Sequence, residues 1–419
     1  MNFLKFRFFS CSSMTAIALG FFPLFGYSEE IPCPIPKQAN DILKCVQIKH
    51  PEVLSENVSN EVSERLARQG AAWKNPDISL ESLRGKNLGS TLVSTEVRIS
   101  QTIEVSGKRS ARQSIGEALG DGFKAESLSK LEEVTLNGIK SLYRLTQLKD
   151  EIAKAEESIQ RFKTIKNQYQ QRPKLNPEQE LTSGLIQLAV SEFEIKLNRL
   201  ETEKKTILAD LSSSTTLTAA TLEKNLPPVK TNWPETPKID GAIQSSSILK
   251  SKAQVNLTEG EWKEARAQAW PEFTVSLIGT DNIDGSLQYQ TYGAGISMPF
   301  PLFQRNEGEK SLKASQYSKA LKVHLRNIEK QQSDLKNLIQ LYEASVKNLK
   351  NTPSNQSVET KHKKAESLFS KGLIAGPLII ETHRQLLEYT QSRNEEELKA
   401  LEALWTLYIL NGTFLNQTL

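Results

Sequence analysis

Histidine is scarce in this 419-residue chain, with four copies in all. His50, His324, His362 and His383 are scattered over helical stretches, with no carboxylate or cysteine cluster at ligand spacing. That scarcity argues against a metal site and against a nucleophile–base pair, so no catalytic or metal-ligating residue is expected. No glycine-rich phosphate loop follows a strand, so any ATP hydrolysis belongs to another protein and no cofactor is expected. Net charge is only +4, and lysines alternate with glutamates instead of clustering, which gives no nucleic-acid face. Beyond the first residues the chain lacks an apolar run near the roughly 20 residues that a membrane-spanning helix needs. If it enters a bilayer, it must do so as β-strands. A hydrophobic fraction of 38%, mean hydropathy of -0.44 and 24% charged residues are low in apolar content for compact cores and suit long solvated helices.

Residues 1–28 have the order of an export signal. Lys5 and Arg7 precede an apolar stretch from Phe8 to Phe25, and Gly26 and Ser28 supply the small residues before a cut near Glu29. Cys11 would leave with that segment. Cys33 and Cys45 remain, in a compartment expected to be oxidising, either bridged or as two free thiols, since their Cα separation cannot be read from sequence.

The chain says the same thing twice. Residues 29–226 and 238–419 each run helix, strand, strand, long helix, tip, long helix, joined by a Pro- and Thr-bearing linker at 227–237. Asn75-Pro76-Asp77-Ile78-Ser79-Leu80 in the first half answers Trp270-Pro271-Glu272-Phe273-Thr274-Val275 in the second, at an offset of about 195 residues. Strands are predicted from period-2 alternation, with Ile78, Leu80, Val97, Ile99, Phe273, Val275, Leu277 and Ile296 on a greasy face and Asp, Ser, Glu, Arg and Thr opposite. The segments 84–90 and 281–286 read as hairpin loops. Leu145, Leu148, Ile152, Ala155, Ile159 and Phe162 step by three and four as a coiled-coil seam does. Ile328, Leu335, Ile339, Tyr342, Val346 and Leu349 repeat the pattern. One helix over 107–171 would be roughly 100 Å long. Breakers follow at 172–177 and 372–377, and residues 351–357 read as a linker or small side element.

Four amphipathic strands cannot stand alone in lipid, because two open edges leave backbone groups unsatisfied at several kcal/mol each. Closed membrane barrels begin at about eight strands. The strands therefore demand copies of the same chain, forming a barrel continued by helical hairpins.

The element order, the 75–80 entry, the run from Gln101 to Arg112 and the stretch Ile296-Ser297-Met298-Pro299-Phe300-Pro301-Leu302-Phe303 resemble the TolC family of outer-membrane efflux proteins. Glu104-Val105-Ser106-Gly107-Lys108-Arg109 is most similar to the CzcC-type cation-efflux branch. The resemblance implies a mainly α protein with a small β part. It further implies a homotrimer in the bacterial outer membrane, whose twelve-stranded barrel takes four strands from each chain and continues as a periplasmic α-barrel. Hairpin tips would meet a membrane-fusion adaptor bound to an inner-membrane pump of the RND type. Lys371-Gly372-Leu373-Ile374-Ala375 resembles the family's adaptor-docking motif, which gives Gly372, Leu373 and Ile374 that role, although Gly372 read alone serves equally as a helix C-cap. The first tip, Lys174-Leu175-Asn176, lacks the glycine, so the two tips are expected to dock unequally. Cys11 lies too early, and without a lipobox, for the acylation common in the family. Glu178, Glu180, Glu381 and Arg384 are gating candidates by resemblance and solvated helix faces by residue type.

Two rivals stand beside this reading. A periplasmic adaptor would show one hairpin framed by β-domains, and a structural coiled coil would leave four strands unexplained. Nothing in the residues selects a metal as cargo, so a cation substrate rests on resemblance alone.

Overall fold

A computed structural model describes residues 33, 35–87, 90–237, 245–353 and 355–419. The export-signal expectation for residues 1–28 falls outside these residues, as does the start of the second repeat at 238.

The described chain runs α1 (Ala39–Lys49), α2 (Pro51–Ala71), β1 (Asp77–Asn87), β2 (Ser90–Ile103), α3 (Lys108–Gln170), α4 (Pro177–Thr215), α5 (Ala219–Lys224), α6 (Ser246–Ala267), β3 (Phe273–Asp284), β4 (Leu287–Ser297), α7 (Glu307–Asn351), α8 (Asn355–Ser370) and α9 (Gly376–Leu410). Helix α3 has 63 residues and is therefore about 95 Å long. It starts where left-handed Ser106 and Gly107 turn the chain out of β2. Asn176 and Gln179 form a reciprocal capping box at the start of α4, with Pro177 in its first turn. In the second half the rising helix is broken between α7 and α8 beside Pro353, which cannot donate to the helical ladder.

The first seam is buried as its spacing predicts, with Leu145, Leu148, Ala155, Ile159 and Phe162 all under 8% exposed. These side chains join two clusters. One gathers Ile42, Leu142, Leu211, Leu401 and Trp405; the other gathers Phe162, Ile186, Phe193, Ile379 and Leu387. In the second seam Tyr342, Val346 and Leu349 are buried, while Ile328, Leu335 and Ile339 are only half-buried. Close packing of α2 on α3 depends on Gly116, where an added Cβ would come within 2.7 Å of the Leu66 carbonyl oxygen.

The four strands form one antiparallel sheet in the order β1-β2-β3-β4, so β2–β3 pairing joins the two halves. The expected hairpin loops are corrected. β1 continues through Asn87, pairing Arg84 with Val93 and Lys86 with Thr91, and β3 continues to Asp284, leaving Gly285 and Ser286 as the turn. Gly, Asn and Ser favour turns locally, but the ladder bonds of a long hairpin outweigh that preference.

Residues 227–237 are also more than a linker. Thr146 Oγ1 donates to the Pro227 carbonyl at 2.7 Å, the Lys230 amide to Glu397 at 2.9 Å, and Tyr342 Oη to the Pro234 carbonyl at 2.5 Å. Trp233 packs edge-on against Tyr342. The segment straps the helices together. Near the N-terminus, Cys33 and Cys45 are bridged with Cα atoms 5.5 Å apart, which ties the entering chain to α1.

Candidate functional site

Strand register brings all eight predicted greasy positions to one side of the sheet. Ile78, Ile99, Leu277 and Ala294 stand directly opposite one another across four strands, Leu80, Val97, Gly279 and Tyr292 form the next rung, and Val275 faces Ile296. In an antiparallel sheet such rungs, two residues apart, share a face. All eight side chains are exposed, up to 76% for Ile296, so nothing in the described chain covers this surface. The opposite face carries Ser79, Glu81, Glu96, Arg98, Ser100, Thr274 and Thr280. The greasy face ends at a polar rung of Ser82, Thr95, Asp281 and Gln290. Near the strand ends that meet the helices, Trp73, Trp270, Phe300 and Phe303 are exposed. Periodicity did not single out these aromatics, because they flank the strands, although Trp73 and Trp270 each lie just before the first strand of their half. Among the described residues β1 and β4 each have one unpaired edge.

The stretch from Glu104 to Arg109 builds the joint between sheet and helices. Glu104, its side chain 2% exposed, is ion-paired with Arg112, and Lys74 lies 3.9 Å away. Glu272, which leads into β3 in the second half as Asp77 opens β1 in the first, takes Lys74 at 2.6 Å and Lys108 at 3.1 Å. Arg109 donates to the Ala71 carbonyl and stacks over Trp73 at 5.0 Å. The Arg112 hydrogen bond, against the opposing effect of burial, holds the Glu104 carboxyl below the ordinary value of 4.5. A depressed acid stabilises the fold above its ordinary pKa and loses that contribution as pH falls through the lower folded value. Glu104→Gln is therefore expected to cost about 1.5–3 kcal/mol at pH 7. Thermal unfolding of variant and parent at pH 7 and pH 3 checks this, and the gap should close at the lower pH.

At the second tip Gly372 is left-handed with φ +71°. Its amide donates to the Phe369 carbonyl and that of Leu373 to the Leu368 carbonyl, the paired bonds of a Schellman cap. The glycine thus closes α8, and Leu373 is left 67% exposed beyond it, with Ile374 half-buried behind. The first tip holds Leu175 half-buried. Gly376 brings α9 so near α4 that a Cβ would meet the Thr182 methyl at 2.4 Å. Between the tips lies a cavity of about 420 Å³, lined among others by Arg161, Tyr169, Glu366 and Ile379. Of the gating candidates, Arg384 pairs with Glu192 at 2.9 Å and with Glu381 at 3.1 Å, while Glu178 and Glu180 are exposed.

One expectation is corrected here. The histidines are not all scattered: His362, Glu366 and His383 meet beneath the second tip, their ligand-type atoms within 4.8 Å of one another. Both imidazoles are under 4% exposed. His362 and Glu366 are one helical turn apart on α8, and His383 comes from α9 after the chain has turned back. Burial, reinforced by His362, pushes the His383 pKa down to about 4, so its ring is neutral at pH 7. The four-residue spacing of His362 and Glu366 was visible in sequence, but the third member required the hairpin.

No family model matches the chain, and no curated protein matches it in sequence. Among solved structures it is similar to the CmeC outer-membrane channel of Campylobacter jejuni, with a TM-score of 0.71 at 13% identity over 98% of this chain and 94% of that one. VceC, an outer-membrane protein of Vibrio cholerae, gives 0.70 at 14% identity over 90% and 96%. The open state of the MtrE outer-membrane channel of Neisseria gonorrhoeae gives 0.65 at 12% identity over 91% of each chain. Identities this low establish the fold alone: mostly helical with a small antiparallel sheet, as in these outer-membrane channels.

Proposed function

We propose that this chain is one protomer of a trimeric outer-membrane efflux channel, a passive conduit with no catalytic centre. The observation that carries the reading is the four-stranded sheet, greasy on one side and wet on the other, with both edges open. Backbone groups on an open edge are intolerable in lipid, and closure with two copies gives a twelve-stranded ring. At 11 to 14 residues the strands are long enough to cross a bilayer when tilted. A second feature supports oligomerisation: Leu181, Leu185, Leu188 and Ile195, at steps of four, three and seven, form an exposed heptad-like stripe on α4 that no described residue of the chain covers. The half-buried part of the α7 seam fits the same need.

On this reading residues 1–28 are an export signal, and 29–226 and 238–419 are the two repeats, strapped by 227–237. The helices reach into the periplasm, where an oxidising environment maintains the Cys33–Cys45 bridge. Substrates, whether metal cations or other toxic small molecules, are handed over by an inner-membrane pump through a periplasmic adaptor. Glu104, Lys108 and Arg109 serve the sheet–helix joint, so the cation cargo rests on resemblance. Two hairpins, each preceded by a strand pair, favour the channel over an adaptor, which would need only one.

Leu373, with Gly372 and Ile374 shaping the tip, is the proposed adaptor contact. Leu373→Asp should lower whole-cell efflux by about tenfold or more, the loss expected when an apolar contact worth about 2 kcal/mol is removed. The purified trimer and its conductance should be unchanged. Retained efflux would remove the docking role, and a lost trimer would show that the residue is structural.

A further inference from the structure

We propose that His362, Glu366 and His383 form a resident binding site for a divalent transition-metal ion of the zinc class, which clamps α8 to α9 beneath the hairpin tip. His362 Nε2 lies 3.4 Å from His383 Nε2 and 4.0 Å from Glu366 Oε1, and His383 Nε2 lies 3.6 Å from that same oxygen. A circle through three points so separated has a radius of about 2.1 Å, the length of a zinc–nitrogen or zinc–oxygen bond. A tetrahedral ion with such bonds keeps its ligand atoms about 3.4 Å apart, so contraction by a few tenths of an ångström completes the geometry.

Hydrogen bonding orients one ring for the task. The Ser158 hydroxyl reaches the Lys154 carbonyl at 2.7 Å and His383 Nδ1 at 2.9 Å, so it can donate to the carbonyl while accepting from the ring. When the hydroxyl donates to that carbonyl, the His383 proton sits on Nδ1 and the Nε2 lone pair points into the triangle, the arrangement in which a neighbour fixes the tautomer of a metal-ligating histidine. Arg161 binds Glu366 through both oxygens, at 2.8 and 2.9 Å, which keeps the carboxylate charged and leaves Oε1 a further lone pair. His362 Nε2, His383 Nε2 and Glu366 Oε1 thus converge with at most the imidazole protons to bond them, and His362 Nδ1 has no hydrogen-bond partner among the described residues. A cation satisfies all three atoms together.

Two imidazoles and one carboxylate suit zinc and its first-row neighbours, whereas magnesium and calcium take oxygen ligands. Glu366 and Arg161 also line the 420 Å³ cavity between the tips, so the carboxylate edge of the site borders open space. Among the described residues, the charged groups that face the site are Glu366 from α8 and Arg161 from α3, with Glu157 of α3 also acting on the arginine. The site joins α8, cut off from α7 by the break at Pro353, to the rest of the hairpin, and its role is to hold that tip in place.

The inference does not depend on the channel reading, because metal is counted per chain whatever the oligomeric state. Full-length protein, purified in detergent and stripped with chelator, is titrated with zinc chloride by calorimetry, and the retained metal is counted after desalting. One zinc per chain is expected, together with a rise in melting temperature. His383→Asn keeps the donor to Ser158 but removes the ligand nitrogen, and His362→Gln removes the other; each should abolish both the stoichiometric zinc and the melting shift. Ser158→Ala should weaken binding about 10- to 100-fold, as loss of an outer-shell partner does. Circular dichroism of each variant confirms that it has folded. Much less than one zinc per chain, or binding that survives both histidine substitutions in folded protein, overturns the proposal.

Discussion

Leu277→Arg is expected to keep the protein out of the outer membrane. Leu277 is 63% exposed at the centre of the greasy face, directly opposite Ile99 on β2 and Ala294 on β4. An arginine on the lipid side of a barrel near the bilayer midplane costs about 2–4 kcal/mol, and a trimer would carry three of them. Thr280→Arg, three residues along the same strand, lies on the other face, beside Glu96 and Thr291. A cation there meets water and a carboxylate, and assembly should be unaffected. Fractionation of outer membranes and the yield of trimer distinguish the two variants. Equal tolerance of both would contradict the assignment of faces.

Arg144→Met should be the most damaging single change in the helical body. Glu151 has a fully buried side chain and accepts from Arg144 at 2.7 Å and from Asn394 at 2.7 Å. Arg144 also grips Glu203 through Nε at 2.7 Å, so one guanidinium joins α3 to α4, while its Glu151 partner reaches α9. Burial works against the arginine's charge, but hydrogen bonds to Glu203 and Glu151 outweigh it and hold its pKa above the ordinary arginine value. Methionine would fill the space and leave a buried carboxylate without its cation, at about 3–5 kcal/mol. Arg144→Met combined with Glu151→Leu should recover most of that loss, because no charge is then stranded. Thermal unfolding of the single and double variants checks this, and a double variant no better than the single would show that lost packing is responsible.

Local periodicities were the most legible part of the molecule. Alternation between Ile78 and Leu80, or between Val97 and Ile99, specifies a face directly, because neighbouring side chains on a strand must point oppositely. The seam from Leu145 to Phe162 and the limits of α3, expected at 107–171 and found at 108–170, were readable for the same reason. Pro353 marked the break before α8. What could not be read depends on contacts between distant segments. Arg84 and Lys86 look like loop residues until paired with Val93 and Thr91. Residues 227–237 look like a linker until Tyr342 and Glu397 hold them down. His383 meets His362 only because the chain reverses at Gly372. The Glu104–Arg109 stretch is the instructive case: by resemblance it pointed to a cation-efflux branch, and in the fold Glu104, Lys108 and Arg109 supply ion pairs and a stacked arginine around the left-handed turn at Ser106 and Gly107.

The account depends on four strands per chain closing with their copies into one conducting ring. The most direct measurement is the oligomer mass of the detergent-purified protein together with its single-channel conductance in planar bilayers. A species of three chains that conducts steadily is the predicted result. A water-soluble monomer, or a trimer that passes no current under any condition of the tips, would contradict it.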